Sequence, residues 1–324
     1  MTNARYTKQK NSDYINRIHA IKNAFICCML IFTAFSLSVF LSDEISSSVK
    51  EAILLCANVI IPSVFPFMVI SDFLYRVLDF TSLNCIGNLF ERIFKIRRSG
   101  MYAFSLGILC GFPLGVKCAA DLYSSGKITR NEAERLIGFS NNTGPAFLVC
   151  GIGLGLRGNI KDGIVLYAVM VISAVICGLL FSVGEKTSAI SNTKTDIYCR
   201  FSITESIRQA GLNTLNICSY LTFFSCICGL LHKFLGECRL YMAIIPFLEI
   251  GSAASILSKT SLLGSMESLA LSSFAIGFSG FSVHLQALSF LSGTDIRTGK
   301  YFIMKLLQGL ISVPLTCLAY LIFL

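Results

Sequence analysis

The sequence predicts an all-α polytopic membrane protein, with about 8–9 transmembrane or re-entrant helices in two distantly related, inverted halves built from broken helices. Three observations predict it. Only 14% of the 324 residues are charged and the mean hydropathy is +0.70, whereas a soluble domain carries about 25% charged residues. Uncharged runs of membrane-spanning length recur from end to end, with the charges clustered between them. All six prolines lie inside those runs. A helix needs roughly 20 apolar residues to cross the bilayer core, and lipid offers no partner to exposed backbone groups, so such runs must be helical.

In chain order the runs are residues 24–41, 52–71, 99–116, 136–156, 163–184, 209–231, 240–258, 268–294 and 306–324. The first follows a basic flank (Arg5, Lys8, Lys10, Arg17, Lys22) with no small-residue cleavage pattern after it, and reads as an uncleaved helix rather than a signal peptide. The seventh carries a single charge, Glu249, and the eighth only His284. If all nine cross, 16 Lys and Arg fall on the N-terminal side and nine on the other. That bias places the N-terminus in the cytoplasm. The strain in this scheme is the loop 119–135, which is basic for an external one; a re-entrant neighbour would return it to the cytoplasm and break the count of nine.

Residues 1–22 form a polar tail, and 185–204, rich in Ser, Thr and Asn, is the linker between an N-terminal membrane half (23–184) and a C-terminal one (205–324). The segment around Phe90–Arg98 is basic and amphipathic, as expected of a helix on the lipid surface. At an offset of 167, Gly115-Val116-Lys117 matches Ser282-Val283-His284, which suggests a repeat with Lys117 and His284 in corresponding places. Inverted repeats are typical of transporters, with the substrate site at the repeat interface.

Polar and helix-breaking residues inside the runs mark the candidate site. Asn141, Asn142, Thr143, Gly144 and Pro145 bring turn chemistry to a depth where turns are costly, and Pro145 suits the first turn of a new helix whose N-terminus favours an anion. Pro62, Ser63 and Pro66 make a second broken segment. Glu249 is an intramembrane acid, fit to relay a proton, coordinate a cation or pair with a base. Lys117 and His284, with Ser282 and Gln286 near the latter, could attract a carboxylate. Enzyme signatures, paired CxxC motifs and metal-ligand spacings are missing, so no catalytic residue, cofactor or metal is expected, and the +9 net charge reads as topology rather than a nucleic-acid footprint. The expected partners are the lipid bilayer and a small-molecule anion, with self-association left open.

Residues 62–67, 111–117, 141–147, 247–250 and 280–286 together resemble the YlbJ family of sporulation integral membrane proteins, over roughly residues 25–320 and in the expected order. The resemblance implies a Gate or nucleoside-recognition architecture in an endospore-forming bacterium. It also implies transport of dipicolinic acid, a pyridine dicarboxylate, across the outer forespore membrane for spore maturation. Nucleoside or cation transport, and a non-transporting scaffold for spore assembly, are the alternatives.

Overall fold

The computed structural model describes residues 41–77, 84–185 and 203–324; the expected first span, 24–41, the tail and most of the linker lie outside them, as do the side chains of a few helical residues including Ser63. Residues 48–324 form one compact unit. Its helices are α1 (Ser42–Leu55), π1 (Cys56–Ile60), α2 (Ile61–Val77), α3 (Asn84–Phe94), α4 (Gly100–Leu109), α5 (Leu114–Ser124), α6 (Arg130–Ser140), π2 (Ala146–Leu156), α7 (Ile160–Leu180), α8 (Ile203–Leu235), α9 (Arg239–Leu248), α10 (Ile250–Lys259), α11 (Ser265–Phe278), α12 (Gly280–Leu291) and α13 (Gly299–Phe323).

Among the described residues four helices are long and apolar enough to cross a membrane: α7, α8, the α11–α12 pair and α13. The bent run 42–70 makes a fifth. Their outward faces carry Ile164, Ile172, Leu310 and Leu318, about half exposed, as a lipid-facing surface requires. Apolar runs 163–184, 209–231 and 306–324 are continuous helices; the other five described runs are each interrupted.

Two clusters of loop contacts define the ends of the unit. At one end Arg135 donates to the carbonyls of Phe94 and Lys95, Ser99 to that of Lys127, Asn131 to Glu185, and Lys300 to Asn131. At the other, Arg157 donates to Ser268 and Thr260 to Glu237, and Ser258, Tyr320 and Lys161 border one polar recess. Helix α7, about 31 Å long at 1.5 Å per residue, joins the two ends.

This geometry corrects the nine-crossing scheme. Run 99–116 enters and returns, because its α4 and the following α5 fold back on each other with Ser99 and Lys127 at the same end. Run 240–258 does likewise through α9 and α10, whose ends meet at Glu237 and Thr260. Each limb has 10 or 11 residues, about 15 Å and half the thickness of the bilayer core. The basic loop 125–130 therefore sits beside Arg97 and Arg98, while Arg157, Lys161, Lys233 and Arg239, which nine crossings would put on that same side, lie at the opposite end.

The element order repeats. Hairpin α4–α5, interrupted span α6–π2 and long helix α7 are followed by hairpin α9–α10, interrupted span α11–α12 and long helix α13. Corresponding helices start between 134 and 139 residues apart, from Ala146 against Gly280 to Gly100 against Arg239. The first hairpin opens at the end bearing Arg97 and the second at the end bearing Glu237, so the two units run in opposite senses. In this register α5 pairs with α10, so Lys117 on α5 and His284 on α12 are not counterparts.

Glycine sets the hairpin geometry. A methyl group on Gly107 or Gly115 would overlap the carbonyl oxygen of Ser140, the last residue of α6. Helix α6 begins with a capping box between Thr129 and Glu132, and Glu132 also accepts from the Arg97 amide. The loop before α13 is clasped by Asp295, which accepts from the Tyr123 hydroxyl at 2.6 Å and pairs with Arg130.

Two outcomes follow. Gly107→Ala should destabilise the detergent-solubilised protein by about 1–3 kcal/mol through overpacking, read as a lower thermal midpoint, whereas Gly299→Ala, which meets open space, should leave it unchanged. The Tyr123 hydrogen bond, and secondarily Arg130, hold the Asp295 carboxyl below its ordinary range. A carboxylate depressed on folding stabilises above its unfolded pKa of about 3.9 and loses that contribution as pH falls through the folded value. Amide protection of residues 293–298 should therefore drop in acid, and in Asp295→Asn it should be low at neutral pH already.

Candidate functional site

Each interrupted run leaves backbone groups unpaired near mid-membrane, where water is scarce and an orphan is costly. The breaks occur where the sequence forces them: at Gly111-Phe112-Pro113, at 141–144 before Pro145, at Glu249 before Pro-free α10, and at Ser279-Gly280. Gly111, Ser279 and Gly280 adopt positive φ, the conformation glycine enters without penalty. Each hairpin tip abuts the break of its own unit's interrupted span. A Cβ on Gly111 would stand 2.6 Å from the Gly144 nitrogen, and one on Gly280 would stand 3.1 Å from the Leu248 carbonyl.

Both junctions, with π1 and α2, converge on one narrow cavity. Its polar lining comes from Thr143, Glu249, Ser282 and Gln286; Phe112, Phe147 and Leu221 are among its apolar walls. The space open to water is about 30 Å³, enough for roughly two water molecules. The hydroxyls of Thr143 and Ser282 and the carbonyl oxygen of Gln286 are buried and find no hydrogen-bond partner among the described residues. Unsatisfied buried polar groups normally signal a ligand, an ion or ordered water.

Glu249 borders the cavity as the N-cap of α10. One carboxylate oxygen accepts from the Gly251 amide at 2.8 Å and the other from the Ser252 amide. Its charge thus lies at the positive end of a half-helix, and neither Lys117 nor His284 is its partner. Helices π2 and α12 also start at the cavity, and no side chain caps either of them.

Behind the cavity lies a buried polar network that the sequence reading missed. Lys305 of α13, fully buried, donates to the Asn141 carbonyl at 2.6 Å and to Gln308 Oε1 at 2.7 Å. Gln308 donates to Asn142 Oδ1 at 3.0 Å, and Asn142 to the Phe139 carbonyl at 2.6 Å. Asn141 donates to the Tyr301 hydroxyl at 2.9 Å, which bonds His284 Nδ1 at 2.8 Å. Asn141 is the C-cap of α6, so Lys305 places a cation at the negative end of that half-helix. Lys305 and Glu249 act alike at opposite poles.

The twelve sequence candidates therefore separate. Thr143, Gly144, Glu249, Ser282 and Gln286 line the cavity. Asn141, Asn142 and His284 belong to the network, with His284 enclosed by the rings of Phe278, Phe281, Tyr301 and Phe302. Lys117 is half-buried on α5 and Pro62 and Pro66 are exposed on α2, away from the lining, although their neighbours Val64 and Phe67 reach it. The Ser63 side chain lies outside the described residues. Lys305, Tyr301 and Gln308 did carry a signal: Tyr301, Lys305, Gln308, Ser312 and Thr316 form a polar stripe at helical spacing, and all five are fully buried.

Replacing Lys305 by Met should leave the Asn141 carbonyl orphaned and cost roughly 1–3 kcal/mol, read as a lower midpoint in detergent. Lys305→Met and Gln308→Leu together should cost less than the sum of the two, since both sever one network.

No family model and no solved structure matches the chain. The sporulation integral membrane protein YlbJ of Bacillus subtilis (strain 168) is 27% identical over 296 residues, which cover 78% of this chain and 72% of that protein. That similarity runs across an all-helical, multi-span chain with its interrupted helices, and it makes this chain similar to a sporulation integral membrane protein.

Proposed function

We propose that this chain is a transporter that moves a small carboxylate, dipicolinate foremost, across the outer forespore membrane. The observation that carries the reading is the convergence of two re-entrant tips and two span breaks, from oppositely directed units, on one cavity with unpartnered Thr143, Ser282 and Gln286. Such midplane sites between inverted repeats are how secondary transporters hold cargo. A cavity of about 30 Å³ has no room for a pyridine dicarboxylate, so transport requires it to open. The hairpins, tethered at their open ends, would rock against the α7 and α13 scaffold to expose the site to one side and then the other. The end bearing Arg97, Arg98, Lys127, Arg130 and Arg297 is the more basic and is assigned to the cytoplasm.

A second reading has specific support. The lining side chains are neutral hydrogen-bonding groups plus one acid, which would also suit a nucleoside. Proteoliposomes separate the two: labelled dipicolinate should enter saturably, with excess nucleoside failing to compete. Gln286→Ala and Ser282→Ala should each lower uptake about tenfold, the order expected for losing one buried hydrogen bond to a charged ligand, and Gly299→Ala should not. Uptake indifferent to both lining substitutions would remove the proposed site.

A further inference from the structure

The charges around the cavity specify more than the solute's size. Among the described residues no Lys, Arg or His lines it, and Lys305 and His284 are held behind Asn141 and Tyr301. Positive potential at the cavity comes from the first turns of π2 and α12, which lack side-chain caps and which border the space through Ala146 and Phe147 of π2 and Ser282 and Val283 of α12. A helix N-terminus carries roughly half a positive charge, so the two together balance about one carboxylate. The third start, α10, is already balanced by Glu249. Beside these termini the Thr143 and Ser282 hydroxyls are positioned to donate, while Gln286 Oε1 is an acceptor without a donor. Glu249 stands on the same lining and disfavours a second negative charge.

We propose that the cavity selects a monoanion: one ionised carboxylate set across the π2 and α12 termini with Thr143 and Ser282, and a second, neutral group donating a hydrogen bond to Gln286. This rests on the transport reading above. For a diacid, the bound species is the singly protonated form, and Glu249 excludes the dianion. The titratable groups near Glu249 on the elements packed around it are the thiols of Cys56 on π1 and Cys228 on α8, with Cys218 against Cys56 and Cys110 on the cavity wall. Glu249 is itself titratable and lines the cavity, so a solute of fixed charge is needed to separate the solute's proton from that of Glu249.

The test uses the full chain in proteoliposomes with equal pH on both sides. Dipicolinate uptake at subsaturating concentration should rise about tenfold between pH 7.5 and 6.5, following its singly protonated fraction well above carboxyl pKa values. The monoamide 6-carbamoylpicolinate, a permanent monoanion with an amide donor, should enter equally at both pH values and compete with dipicolinate. Glu249→Gln should flatten the dipicolinate dependence; should that variant fail to fold, the wild-type comparison of the two solutes decides alone. Equal dipicolinate uptake at both pH values, with no competition by the monoamide, would overturn the monoanion proposal and leave transport standing. No uptake of either acid would overturn both.

Discussion

A peptide group in hydrocarbon has only the chain itself to bond to, and an interrupted helix breaks that self-sufficiency in the middle of the membrane. Among the described residues five apolar runs are interrupted, and the rest of the structure is organised around settling the backbone groups they release. Lys305 supplies a cation to the carbonyl end of α6, and Glu249 supplies a carboxylate to the amide end of α10. Each is a charge that burial would otherwise make prohibitive, held by the pole of a half-helix. The two charges and the two breaks are therefore interdependent: removing either partner strands the other.

The breaks can share this chemistry only because the backbones come very close. Gly107 and Gly115 both meet the Ser140 carbonyl, Gly111 meets Gly144, and Gly280 meets the Glu249 junction. Small residues at helix contacts are the usual means of close approach in membranes, where no hydrophobic force drives helices together. The same approach that joins tip to break also leaves the amide ends of π2 and α12 facing a common space. Packing thus creates the cavity, and the capping pattern gives it its charge.

Function follows from the contrast between settled and unsettled groups. The network from Lys305 through Gln308, Asn142, Asn141 and Tyr301 to His284 links its members to one another and leaves only Asn141 Oδ1 and His284 Nε2 open, which suits a role in fixing the α6–π2 break against α13. Thr143, Ser282 and Gln286 are left without partners on the cavity side. On the transport reading proposed above, the site must hold cargo without holding it permanently, and a small set of neutral hydrogen-bonding groups with two helix ends meets that requirement better than a buried cation would.

Much of this was legible in the sequence. Charge depletion and run lengths determine a polytopic helical protein, because the bilayer fixes both the length and the backbone pairing of anything that crosses it. The clusters around Asn141–Pro145, Glu249 and Ser282–Gln286 announce interruptions, because glycine, proline and amides inside apolar runs have few other uses. The lining residues Thr143, Gly144, Glu249, Ser282 and Gln286 follow from those clusters. What sequence could not decide was which runs cross and which return. Half-length hairpin limbs and full spans share the same hydropathy, and only the meeting of Ser99 with Lys127 and of Glu237 with Thr260 separates them. Nor could it distinguish the cation that matters: Lys117 and Lys305 both stand at the edge of an apolar run, and burial beneath α6 alone turns Lys305 into a cap. The repeat register escaped for the same reason, since the two units share an order of breaks and caps in space rather than a run of matching residues.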